Sequence, residues 1–161
     1  MRARMRIEPD DLTRPAVLAL LREHLAHMHE ITPPEFVFAF DAKKLAAPDV
    51  TFWSVWDGDA LLGCGALKEL DAAHGEVKSM RTPASARRRG AGKAMLEHII
   101  ATATARRYRR LSLETGAHPA FAPAHRLYER YGFVRCGPFG PYTDNGSSVF
   151  MRLELPAARA T

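Results

Sequence analysis

The sequence predicts an α+β domain built on a mixed sheet, and three observations carry that expectation. Segments of strand and helix character follow one another in the order β-α-α-β-β-β-α-β-α-β-β. The strand–helix–strand units in that order imply one parallel pair, because a parallel crossover needs about a dozen residues whereas short turns join antiparallel neighbours. A glycine turn, Gly90-Ala91-Gly92, stands between one such strand and the helix that follows it.

The elements follow in order. Met5 to Glu8 is the first strand, closed by Pro9. Leu12 to His29 forms a helix with Leu18, Leu21, Leu25 and Met28 in one stripe. Thr32-Pro33-Pro34 breaks it, and Glu35 to Leu45 gives a second, shorter helix. Val50 to Trp56 is aromatic and β-branched, and Asp57-Gly58-Asp59 turns it into a hairpin. Ala60 to Leu70 and Gly75 to Thr82 continue the meander around Ala72-Ala73-His74. Met95, Leu96, Ile99, Ile100 and Ala103 then mark an amphipathic helix that ends near Arg107. Leu111 to Thr115 is a short apolar strand. The next helix carries Ala124, Leu127, Tyr128 and Tyr131 on one face and stops at Gly132. Phe133 to Cys136 and Ser148 to Leu155 close the chain as strands around a Gly/Pro-rich loop.

Composition narrows the classes. With 161 residues, 47% of them hydrophobic and 25% charged, the chain fits one compact domain over 1–161 with its core at about 5–155. No apolar run reaches the length of a membrane span. Met1-Arg2-Ala3-Arg4-Met5-Arg6 is basic but lacks the apolar stretch of a secretory signal, so a cytoplasmic location is expected. Cys64 and Cys136 match neither a disulfide framework nor a zinc ligand set. Both sit in apolar strands and are expected as buried structural thiols. The net charge of +5 favours an anionic partner. Neither a helix-turn-helix pattern nor an aromatic-basic RNA platform accompanies it, so a phosphate-bearing small molecule is expected and nucleic acid is not.

Much of that charge lies at the glycine turn, in Arg87, Arg88, Arg89 and Lys93. A helix N-terminus exposes unpaired N–H groups and the positive end of the helix dipole, and glycines let an anion approach the backbone closely. The P-loop pattern fails because Ala94 follows Lys93, and the dinucleotide fingerprint fails because Met95 stands where its third glycine belongs. A phosphate site and a solvated basic loop before an ordinary helix both remain open on composition alone.

The residues resemble a known family at two places. Arg87-Arg88-Arg89-Gly90-Ala91-Gly92 is similar to the Arg/Gln-x-x-Gly-x-Gly/Ala turn of the GNAT superfamily of acetyltransferases. Ala124 to Phe133 resembles the family's second signature, Ala-x-x-Leu-Tyr-x-x-x-Gly-Phe, and the element order agrees along nearly the whole chain. The resemblance implies a mostly antiparallel mixed sheet flanked by about four helices, with strands 4 and 5 splayed to admit the pantetheine arm of acetyl-CoA. It implies that Met80, Arg81 and Thr82 offer backbone groups to that arm. Arg87, Arg88, Arg89, Gly90, Ala91, Gly92 and Lys93 would hold the pyrophosphate. Many members carry Asn three residues before the alanine of the second signature; here Phe121 stands in that place.

Acetyl transfer to an amine needs a neutral amine, a donor for the developing oxyanion, and a proton for the departing thiolate. The resemblance puts Tyr128 at the general-acid position. Glu76 stands at the spacing where some relatives carry a general base, fourteen residues before Gly90. The backbone N–H near Met80 is the oxyanion-donor candidate. Tyr128 has a bland alternative as a core aromatic, and Glu76 as an exposed strand residue or a partner of Arg81. His24, Phe36, Phe38, Trp53, Phe139 and Tyr142 are the acceptor-side candidates, and a small amine or a peptide amine is the expected acceptor. His24, His27, His29 and Glu30 do not converge on one ion at 100° per residue, so no metal is expected. A monomer or homodimer acting off the membrane completes the expectation. The competing readings are an acyl-CoA-binding regulatory domain without turnover, or the same fold using another acyl group or an oxygen acceptor.

Overall fold

Runs of alternating apolar and small residues make the middle of a seven-stranded sheet in the computed structural model, which describes residues 5–31, 42–83, 86 and 89–156, and their side chains apart from those of 24–31. The strands are β1 (Arg6–Pro9), β2 (Val50–Asp57), β3 (Ala60–Asp71), β4 (His74–Arg81), β5 (Arg110–Gly116), β6 (Val134–Cys136) and β7 (Ser148–Glu154). Their order across the sheet is β1-β2-β3-β4-β5-β7-β6, and only β4 and β5 run parallel. Tight turns explain the antiparallel part. Gly58 takes a left-handed φ of 58° between β2 and β3, which glycine adopts without penalty. At the next turn the Asp71 carboxylate accepts the Ala73 N–H at 2.8 Å.

Three helices of more than one turn flank the sheet: α1 (Pro15–Ile31), α3 (Ala91–Ala105) and α4 (Ala122–Arg130). Among the described residues there are also the single turn α2 (Ala42–Leu45) and a 3-10 turn at Pro119–Phe121. Alternation along β2 separates two cores. Trp53 and Val55 join Leu67, Val77, Leu111, Leu113 and Met151 beneath Met95, Leu96, Ile99 and Ala103 of α3. Phe52 and Trp56 face the other way and pack with Cys64 and Ala66 against Val17, Leu20 and Leu21 of α1 and Leu45 of α2. A Cβ on Gly65 of β3 would lie 2.6 Å from Met95 Cγ, so the missing side chain is what lets α3 settle on the sheet.

Two details differ from the sequence expectations, one lies partly outside the described residues, and one had no expectation attached. The first helix starts at Pro15 instead of Leu12, because Leu12 takes a left-handed φ of 65° while Asp10 and Asp11 bind the N–H groups of Leu12 and Thr13. Proline, with φ preset and no N–H to lose, then opens the helix. Of the helix expected over Glu35 to Leu45, Ala42–Leu45 is present, and residues 35–41 lie outside the described residues. Cys136 is half-buried on a sheet-edge strand of three residues, next to an exposed Val134, so only Cys64 is a buried thiol. Burial pushes the Cys64 thiol up to about 12. His98 of α3, which carried no sequence signal, stands edge-on to Trp53 at 4.9 Å, and its Nε2 has no hydrogen-bond partner among the described residues.

Burial holds the His98 imidazole below its ordinary pKa. The folded chain therefore resists a proton that the unfolded chain accepts near pH 6.5, the ordinary value. Stability from this site is complete above that pH and is lost as pH falls through the unfolded value toward the lower folded one. His74, whose pKa burial also lowers, adds to the same slope. Thermal melts from pH 7.5 to 5 should show a falling midpoint, and His98→Phe should flatten the slope. An unchanged slope in that variant would remove His98 from the account.

Candidate active site

Parallel pairing between β4 and β5 runs from His74 opposite Arg110 to Val77 opposite Leu113 and stops there. Beyond that point β4 continues as Lys78 to Arg81 alongside β3, and β5 continues as Glu114 to Gly116 alongside β7. The two strands part because β4 carries an extra residue. Lys78 to Arg81 spans three steps where its partners Ala66 to Cys64 span two. Ser79 takes up the excess with a left-handed φ of 54°, uncommon for a residue with a side chain, and its carbonyl accepts the Cys64 thiol at 3.2 Å. The result is a slot whose walls are backbone.

The glycine turn borders this slot. Gly90, with φ 84°, is the N-cap of α3; no side chain caps the helix, and its first turn holds no acidic residue. The N-terminal amides of a fifteen-residue helix are thus left for an anion. A Cβ built on Gly92 would lie 3.9 Å from Thr82 Oγ1, which brings the end of β4 to the turn. Ala91 is buried and Lys93 exposed. Arg89 reaches back to the β2–β3 hairpin, where its guanidinium donates to Asp57 at 2.6 Å. Arg87 and Arg88 lie outside the described residues.

The β5 wall ends at Gly116, against which the Phe121 ring lies so closely that a Cβ there would overlap it. His125 Nε2 donates to the Gly116 carbonyl at 2.9 Å, a polar anchor between α4 and the end of β5. Tyr128, also on α4, is buried against Phe133 with ring centroids 5.7 Å apart. Burial, aided by the charge of Glu114, pushes its phenol well above the usual range, so the hydroxyl keeps its proton.

On the sheet face away from α3, Glu76, Lys78 and Tyr142 form a closed triangle. Lys78 Nζ donates to Glu76 Oε2 at 2.8 Å, and the Tyr142 hydroxyl donates to the same oxygen at 2.7 Å. Lys78 Nζ and the Tyr142 hydroxyl are 2.8 Å apart. Glu76 and Lys78 are both buried and paired, so the carboxylate is not an exposed strand residue, and Arg81 forms an ion pair with Glu23 at 4.0 Å. Burial lowers the Lys78 pKa, opposed by the attraction of Glu76. Burial also raises Tyr142, and the negative charge of Glu76 adds to it. Phe139 stands 5.1 Å and Phe150 5.8 Å from the Tyr142 ring, forming an aromatic wall.

Of the sequence-predicted residues, Glu76 and Tyr142 meet directly, and Gly92 of the glycine turn lies beside Thr82 at the end of β4 and beside Leu127, the neighbour of Tyr128 on α4. Trp53 stands elsewhere, in the core under α3. The side chain of His24, and Phe36 and Phe38 entirely, lie outside the described residues. Three residues were missed. Lys78 was legible as a strand neighbour two positions from Glu76, on the same face. Glu114 was hidden inside an apolar strand, and His125 in a variable position of the second signature.

A family model described as acetyltransferase (GNAT) family matches residues 17–133. The chain belongs to that family and is an acyltransferase. It is 53% identical over 151 residues to the uncharacterized N-acetyltransferase YsnE of Bacillus subtilis, covering 94% of this chain and 100% of that one. It is 36% identical over 141 residues to the IAA acetyltransferase of Azospirillum brasilense, covering 87% of this chain and 91% of the other. The fold is similar to that of a GNAT family acetyltransferase from Elizabethkingia anophelis with acetyl-CoA bound, with a TM-score of 0.63, 19% identity, and coverage of 94% and 98% of the two chains.

The buried triangle has a stability consequence. Lys78→Met leaves Glu76 without its cation and should cost about 3–5 kcal/mol in urea unfolding. Adding Glu76→Gln should recover much of that loss. Equal stability of Lys78→Met and wild type would show that the ion pair contributes nothing.

Proposed function

We propose that this protein is an acetyl-CoA-dependent N-acetyltransferase that acts on the primary amine of a small molecule or peptide by direct attack with both substrates bound. The observation that carries this reading is the end of β4–β5 pairing at Val77 and Leu113, which opens a backbone-walled slot beside the uncapped N-terminus of α3. A phosphate-bearing cofactor with a narrow, amide-containing arm suits both parts. The uncapped amides with Gly90, Ala91 and Gly92 would take the pyrophosphate, and Arg87, Arg88, Arg89 and Lys93 would add positive charge. Met80, Arg81 and Thr82 would pair with the arm through backbone left unpaired by the splay.

The thioester supplies an activated acyl carbon and a thiol leaving group. The chain has three tasks around it. Glu76 takes the proton of the incoming ammonium, directly or through water. Its Oε2 is held by Lys78 and Tyr142, and no described residue bonds Oε1. The N–H near Met80, turned by the bulge at Ser79, donates to the carbonyl oxygen. Tyr128, kept protonated by burial, gives its proton to the sulfur as the C–S bond breaks and the C–N bond forms, and the second proton of the acylated nitrogen passes through water to restore the Tyr128 phenol. Of the acceptor-side candidates, Tyr142 has the support of touching Glu76. The same reading treats the chain as one domain working in the cytoplasm.

Free-thiol release from acetyl-CoA across a panel of amines and peptides tests this. Tyr128→Phe should lower turnover by about 100-fold or more while acetyl-CoA affinity stays near wild type. Glu76→Gln should lose most activity near neutral pH and regain part of it at high pH, where more of the amine is already neutral. Equal turnover in Tyr128→Phe would take the acid role from Tyr128. A wild-type pH profile in Glu76→Gln would do the same for the base.

A further inference from the structure

The face that holds the Glu76–Lys78–Tyr142 triangle carries a second carboxylate that the mechanism above leaves unused. Glu114 is the first β5 residue beyond the last paired position, Leu113, so it stands at the mouth of the slot. Strand alternation puts it on the face of Ser112, which bonds His74, while Leu111 and Leu113 point into the core under α3. The charge of Glu114 acts on the Tyr128 phenol and on Lys78 and Tyr142. Burial pushes its carboxyl above the usual range, opposed by the Ser148 hydroxyl and by Lys78, and reinforced by the charge of Glu76.

The charge count at this place is unequal. Among the described residues, Glu76 and Glu114 are two carboxylates and Lys78 is the cation beside them, already seated 2.8 Å from Glu76 Oε2. A half-buried anion in this setting gains more from a second ammonium than it would in water, because the surrounding medium screens less. The neighbouring surface is aromatic. Phe139 and Tyr142 are half-buried, Phe150 backs both, and Lys78 Nζ sits 5.5 Å from the centre of the Tyr142 ring, a placement in which an ammonium is favoured by the ring.

We propose that Glu114 selects the acceptor, its carboxylate docking the ammonium of a primary amine carried on a short apolar or aromatic body that lies against Phe139 and Tyr142. This rests on the acetyl-transfer reading and names its substrate class. The ammonium binds between Glu114 and Glu76, Glu76 takes one proton from it, and the neutral nitrogen then faces the slot on whose other side Tyr128 stands. Glu114 keeps the amine at that place without itself changing covalently.

The test compares 2-phenylethylamine, 2-phenylethanol and a short peptide with a free N-terminus as acceptors for wild type, Glu114→Gln and Glu114→Asp. Thiol release gives KM and kcat, and calorimetry gives the affinity of the CoA-saturated protein for 2-phenylethylamine. Glu114→Gln should raise KM and weaken amine affinity about tenfold or more, with acetyl-CoA affinity and the melting temperature near wild type; Glu114→Asp should fall between. Unchanged KM and affinity in Glu114→Gln would overturn the role of Glu114. An equal loss of affinity for 2-phenylethanol would overturn it too, since packing alone would then explain the effect. Turnover of the peptide but not of 2-phenylethylamine would overturn the substrate class and leave acetyl transfer standing. Thiol release with none of the amines, despite intact acetyl-CoA binding, would remove the acetyl-transfer reading and this inference together.

Discussion

One extra residue in β4 governs the site. A parallel pair inside a sheet normally satisfies its backbone groups along its whole length, and such a pair has no room for a ligand. Ser79 breaks that regularity by adding a step against β3 and holding a left-handed backbone to do so. Pairing with β5 ends at Val77, the residue before Lys78. The strain at Ser79 is held in place by its surroundings: β3 continues to pair on one side, and the Cys64 thiol donates to the Ser79 carbonyl. The slot is thus a consequence of chain length between two registers.

The buried charges follow from the same opening. A carboxylate and an ammonium two residues apart on a strand share a face, and here that face is covered by the loop carrying Phe139 and Tyr142. Covering them raises the cost of leaving either alone, which ties Glu76, Lys78 and Tyr142 into one unit. The same cover shifts Lys78 down and Tyr142 and Glu114 up, away from their values in water. Tyr128 is shifted up by burial as well, and groups whose proton affinities burial has moved are a common property of sites that handle protons.

Much of the fold was legible because its elements have strong local causes. The hairpin at Gly58, the meander through β3 and β4, and the helix after Gly90 each have periodicity and turn chemistry of their own. The start of α1 was misplaced by three residues because Asp10 and Asp11 compete for the N–H groups that a helix would leave exposed. Cys136 was taken as buried because an apolar strand gives no sign of whether it sits at a sheet edge. His98 and His125 were silent for a similar reason. Their neighbours, Trp53 and the Gly116 carbonyl, are 45 and 9 positions away in the chain and meet them only through packing.

The sequence by itself determined the fold class, the glycine turn at Gly90 to Gly92 that opens a helix, and the helix that carries Tyr128, because each depends on residues close together in the chain. Only the tertiary structure decided where β4 leaves β5, that Lys78 and Tyr142 lock Glu76, and that Glu114 stands at the mouth of the slot. Those facts depend on a register difference between β3 and β4 and on a loop that folds back across the sheet. Both are settled by the packing of distant segments, which no local pattern encodes.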